Sequence, residues 1–151
     1  MIVLWKLMRL SELLNALEIN PRERTSYVHS AVFLAQDFKC MEICYNDYVL
    51  EGYLYSHDLE KDLEILRLVN FDTFPKSFLD LNRVSELKKF IKDKRMTVLL
   101  AQEVYTRRRK NGKKSKSREI KKLFKDYLEA KSRNSKKFSQ IAPNPKAGVI
   151  A

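Results

Sequence analysis

Eight of the twelve residues from Arg107 to Arg118 are Lys or Arg, none is acidic, and none of the other four is apolar. The cations are Arg107, Arg108, Arg109, Lys110, Lys113, Lys114, Lys116 and Arg118, separated by Asn111, Gly112, Ser115 and Ser117. With no side chain to offer a core, the stretch must lie on the surface. It repels itself there and stays solvated unless a polyanion neutralises it. Phosphate contacts and the counterions they release are the commonest physical reason to concentrate cations in this way. A solvated, lysine-rich linker is the plain alternative.

Helical patterns stand on both sides of the run. Val98, Leu99, Ala101, Val104 and Tyr105 predict a helix leading into it. Beyond it, Ile120, Leu123, Phe124, Tyr127 and Leu128 fall at i, i+3, i+4, i+7 and i+8, a full apolar stripe. Ser117 is placed to cap this last helix, and Glu119 suits its first turn. The run is therefore expected as a loop anchored at both ends by core helices.

Four more helices are expected upstream. The first runs through Ile2, Leu7, Leu10, Leu14 and Leu17 and stops near Asn20-Pro21, because proline disfavours helical backbone at the residue before it. A second spans about Arg22 to Phe38, with Val28, Ala31, Val32, Ala35 and Phe38 on one face. A third follows Ser56, a good N-cap, with Asp58 and Glu60 in its first turn and Leu59, Leu63, Leu66 and Val69 as its buried stripe. Val84, Leu87, Phe90 and Ile91 mark a fourth. Between the second and third, Met41–Tyr55 is rich in Tyr, Ile and Val and broken by Asn46-Asp47 and Gly52, which favours short strands. The predicted class is mostly α (α+β): six helices, a short β-hairpin, and one compact domain over residues 1–132. From Arg133 the periodicity is lost, so 133–151 reads as a disordered basic tail.

Charge is placed very unevenly in a chain of net charge +11. Residues 1–79 carry 8 basic and 12 acidic side chains, a net of −4, while residues 80–151 carry 22 and 7, a net of +15. That asymmetry points to a polyanion, nucleic acid before an anionic membrane. No helix combines a basic face with an apolar face rich enough to lie in a membrane interface. Two cysteines do not make a disulfide scaffold. Neither a membrane span nor a signal peptide is recognised, and the chain reads as cytoplasmic.

Other constellations are weaker. Cys40, Cys44, His29 and His57 invite a zinc reading, but structural zinc takes close pairs at both ends of the site and only one exists here. Asp58, Glu60, Asp62 and Glu64 could serve a metal-dependent nuclease, yet on a helix they read as a solvated face. Tyr45, Tyr48, Tyr53 and Tyr55 could stack bases, but they lie in the acidic half and suit core and hairpin packing. No catalytic motif is found, and neither a metal nor a cofactor is expected.

Ser56-His-Asp-Leu-Glu-Lys-Asp-Leu-Glu-Ile-Leu66 resembles the S-x-x-L-x-x-D-L-x-x-L motif of the YwgA-like family of small prokaryotic proteins and, more distantly, the Panacea/SocA antitoxin-associated group. Arg24-Thr25 followed by Val32-Phe33-Leu34 is similar to that family's R-T-x-x-x-K-L-x-F-L helix, with Ser30 in place of its lysine. Leu100-Ala-Gln-Glu-Val-Tyr105 is similar to the first helix of its closing pair. The resemblance implies a helical domain of winged-helix type and a role in nucleic-acid regulation or protein inhibition. No catalytic residues carry over. Two functions are thus expected in order: nucleic-acid binding through Arg107–Arg118, then a protein-interaction role (an antitoxin or adaptor) using the tyrosine-rich N-terminal half.

Overall fold

A computed structural model describes residues 4–42, 45–69 and 79–111, with 122, 123, 125, 126 and 129; the side chains of 110 and 111 are not described. Five helices and one hairpin follow in the order α1 (Leu4–Ala16), α2 (Thr25–Asp37), β1 (Val49–Glu51), β2 (Tyr53–Tyr55), α3 (His57–Leu66), α4 (Leu81–Phe90) and α5 (Lys94–Asn111). Of the sixth predicted helix, the five described positions are helical and Leu123 is buried, but they do not make an element of their own. The helix count among the described residues is five, not six. Residues 133–151 lie outside the described residues.

Local chemistry sets the boundaries. Ser56 caps α3 as its sequence position requires, its hydroxyl accepting from Leu59 N at 3.1 Å. Asp80 does the same for α4, accepting from Arg83 N at 3.2 Å. Two helices end without the glycine that such ends favour. Glu18 after α1 (φ 59°) and Lys39 after α2 (φ 61°) take the left-handed conformation. In each case the residue beyond closes back on the helix: Ile19 N on Leu14 O and Cys40 N on Ala35 O, both at 2.8 Å. Gly52, at φ 81°, turns the hairpin, where positive φ favours glycine.

α2 is the centre of the molecule. The sequence expects one buried face, but every residue from Tyr27 to Asp37 is buried. Neighbours on several sides explain this: α5 packs along α2, and β2 rests on both of them. Leu54 of β2 is fully buried against that pair, whereas all three residues of β1 face outward. α1 buries Leu7, Leu10, Leu13 and Leu14 and packs on α3. The start of α4 is tied to the end of α2 by Asp80 N donating to Cys40 O and Arg83 Nη1 donating to Phe38 O.

Candidate nucleic-acid interface

The basic run begins inside α5, not in a loop. Arg107, Arg108, Arg109 and Lys110 belong to its last turns, since α5 extends to Asn111. This corrects the expected anchored loop for the first four cations. The apolar spacing of Leu100, Ala101 and Val104 carries the helix past the point where charge density takes over, and cations at a helix C-terminus complement its dipole. Lys113, Lys114, Lys116 and Arg118 lie outside the described residues.

Consecutive residues on a helix point about 100° apart, so the three arginines diverge. Arg107 is exposed and pairs with Glu103 one turn back at 2.9 Å. Arg108 turns inward to the Asp37 carboxylate at the end of α2, at 3.3 Å. Asp37 is 4 % exposed, so Arg108 is a fastening between α5 and α2. Arg109 is exposed, with its guanidinium 5.9 Å from the Tyr105 ring centre, within cation–π range. Arg107 and Arg109 are therefore presented outward, while Arg108 is occupied within the fold.

A polar corner beneath the hairpin was not anticipated. His29, fully buried on α2, accepts from Ser56 N through Nδ1 at 3.1 Å. Its Nε2 must then carry the proton and donate to Glu60 Oε1 at 3.0 Å. Arg67 closes on the other oxygen of Glu60 at 2.7 Å. Ser56 donates its hydroxyl to Asp47, whose second oxygen accepts from Asp58 N at 3.2 Å. The Tyr55 ring stacks on the His29 ring at 4.7 Å.

Burial pushes the His29 pKa below its usual 6.5, against the pull of Glu60. Glu60 sits below the usual carboxylate range: its own burial opposes this, and the Arg67 and His29 hydrogen bonds overcome it. Asp47 is likewise low, burial being outweighed by bonds from Ser56 and Asp58. Ser56, His29 and Asp47 do not form a nucleophilic triad, because the Ser56 hydroxyl faces Asp47 and only its backbone amide meets the imidazole.

Two sequence readings change here. Glu60 and Asp62 are not part of a solvated face: Glu60 is held by His29 and Arg67, and Asp62 accepts from Tyr45 OH at 2.6 Å with Lys6 4.0 Å away. Arg67 bridges seven residues back to Glu60. The tyrosines are mostly committed to the fold. Tyr45 is buried, with its backbone clamped at both ends by the Gln36 amide at 2.9 Å, and Tyr48 and Tyr105 edge onto Phe33.

No group of metal-ligating side chains forms among the described residues, though Cys44 lies outside them. Cys40 is buried and free, its thiol pushed up to about 12 chiefly by burial. No described helix is long and apolar enough to cross a membrane. Compared with protein-family models, curated proteins and solved structures, the chain matches none.

Proposed function

We propose that this chain is a non-catalytic nucleic-acid-binding accessory or regulatory protein whose basic segment, beginning at the outer end of α5, contacts phosphates. The observation that carries the reading is the net charge of +15 on residues 80–151, whose densest stretch starts at a helix end where Arg107 and Arg109 face solvent. The hairpin beside α5, joined to it by Gln102 Nε2 donating to Gly52 O at 2.9 Å, supports a winged-helix reading in which β1–β2 is the wing. A cytoplasmic setting and the resemblance to YwgA-like proteins belong to the same proposal.

The test replaces Arg107, Arg109, Lys110, Lys113 and Lys114 with Gln and leaves Arg108 in place. Affinity for a fluorescent 20-mer should fall, and the slope of log K against log salt should flatten by up to about 4.5 units if all five contact duplex phosphates. Unchanged affinity and slope would overturn the proposal. A second reading, a protein-interaction module of antitoxin or adaptor type, draws support from β1, where Val49, Leu50 and Glu51 are all exposed on the outer strand. Recovery of one stoichiometric protein partner after nuclease treatment, lost in Leu50→Asp, would favour it.

A further inference from the structure

Along α5 one set of side chains is buried, and most of the others are exposed or half-buried. Thr97, Leu100, Ala101 and Val104 are buried, whereas Arg95, Leu99, Thr106 and Arg109 are exposed and Gln102 is half-buried. Positions 95, 99, 102, 106 and 109 recur every three or four residues and so form one stripe. At 1.5 Å per residue it is about 21 Å long. Both ends are arginines, and the three side chains between them are neutral. Neither arginine makes an ion pair with a described residue. The Gly52 turn of the hairpin adjoins the middle of this stripe through Gln102.

We propose, resting on the nucleic-acid reading above, that this face of α5 lies in the major groove of duplex DNA. Arg95 and Arg109 then meet phosphates at the rims, and Leu99 and Thr106 meet the base edges. A surface with cations at its ends and uncharged groups between them complements a groove with charged rims and an uncharged floor. The B-form major groove is about 12 Å wide and admits one helix. The deep, narrow major groove of A-form RNA does not. Single strands are held on exposed aromatic rings, and no aromatic residue stands on this stripe.

The middle of the stripe also defines what it reads. Thr106 spends its hydroxyl proton on Gln102 O at 2.8 Å, and Gln102 spends one of its two amide N–H groups on Gly52 O. Leu99 and the Thr106 methyl are the apolar groups of the stripe, and apolar groups in this groove recognise the thymine C5 methyl.

The experiment measures anisotropy of a labelled 20-base-pair DNA duplex, the matching RNA duplex and the DNA single strand at one salt concentration. The DNA duplex should bind at least tenfold tighter than the other two. Replacing its thymines with deoxyuridine should weaken binding severalfold in the native chain and by less in Leu99→Ala. Leu99→Glu and Thr106→Glu should each lose tenfold or more. Leu68→Glu, an equal charge change at an exposed residue beyond α3, should lose less than twofold. Equal affinity for all three nucleic acids, with the five-site Gln variant weakening each alike, would overturn the groove assignment while leaving phosphate binding intact. An equal loss in Leu68→Glu would also overturn it. No binding to any of the three would overturn both.

Discussion

The corner under the hairpin and the outer end of α5 treat charge in opposite ways. In the corner, His29, Asp47, Ser56, Glu60 and Arg67 form a closed set, each held by at least one of the others or by a backbone amide. At the end of α5, three consecutive arginines meet one exposed carboxylate, one buried carboxylate and one tyrosine ring. Unpaired buried polar groups are costly, so selection for folding alone produces closure of the first kind. Exposed cations gain little stability from pairing. Outward charge that the fold does not need is the charge on which the proposed nucleic-acid contact rests.

The contrast is broken most directly in the core it rests on. Phe33→Ala removes a ring that is 1 % exposed and meets both Tyr48 and Tyr105, and should cost about 3–5 kcal/mol in urea unfolding. A loss below about 1 kcal/mol would mean that α2 is not the centre of the fold. Gln36→Ala leaves the Tyr45 N–H and C=O without their partner and should cost about 2 kcal/mol, read the same way.

The adjacent arginines sharpen it. Arg108→Gln should destabilise by about 1–2 kcal/mol, a value reduced from that of a fully buried pair because Arg108 is partly solvated. Arg109→Gln should stay within about 0.5 kcal/mol in stability yet weaken nucleic-acid binding. The reverse pattern would exchange their roles.

Acidification tests the corner. His29 titrates lower in the folded protein than its ordinary 6.5, so the unfolded chain binds more protons between the two values. Stability is complete above about 6.5 and declines as pH falls through that value toward the folded one. Loss of the low-lying Glu60 and Asp47 follows at more acidic pH. The melting temperature should drop by a few degrees from pH 7.5 to 5.5, and His29→Gln should flatten that slope.

A small change concerns a helix end. Lys39→Gly should stabilise by roughly 0.5–1 kcal/mol, since φ 61° strains a residue with a Cβ and glycine accepts it. A destabilised Lys39→Gly in thermal unfolding would show that its side chain does more than cover the turn.

Legibility followed the range of the interactions. The Ser56 cap, the hairpin between α2 and α3 and the stripe residues Leu59, Leu63 and Leu66 were readable because their causes lie within a few residues, whereas Val69, assigned to the same stripe, lies beyond α3 and is exposed. The glycine-free ends at Glu18 and Lys39 carry no sequence mark, so the ends of α1 and α2 were placed only approximately. Glu60 and Asp62 were misread as solvent-facing for a different reason: their partners His29, 31 residues away, and Tyr45, 17 away, leave no local pattern. For the site, the composition of the run was legible, but its helical first turns and the inward course of Arg108 were not.

Helix positions, caps and the charge divide between residues 1–79 and 80–151 were determined by the sequence itself, because periodicity, capping and charge count are local or additive properties. Which of Arg107, Arg108 and Arg109 faces outward was decided by the tertiary structure. α5 extends through them at about 100° per residue, and α2 places Asp37, 71 positions earlier, under the middle one. Turning three like residues toward three different partners needs both the helix and the helix packed beside it.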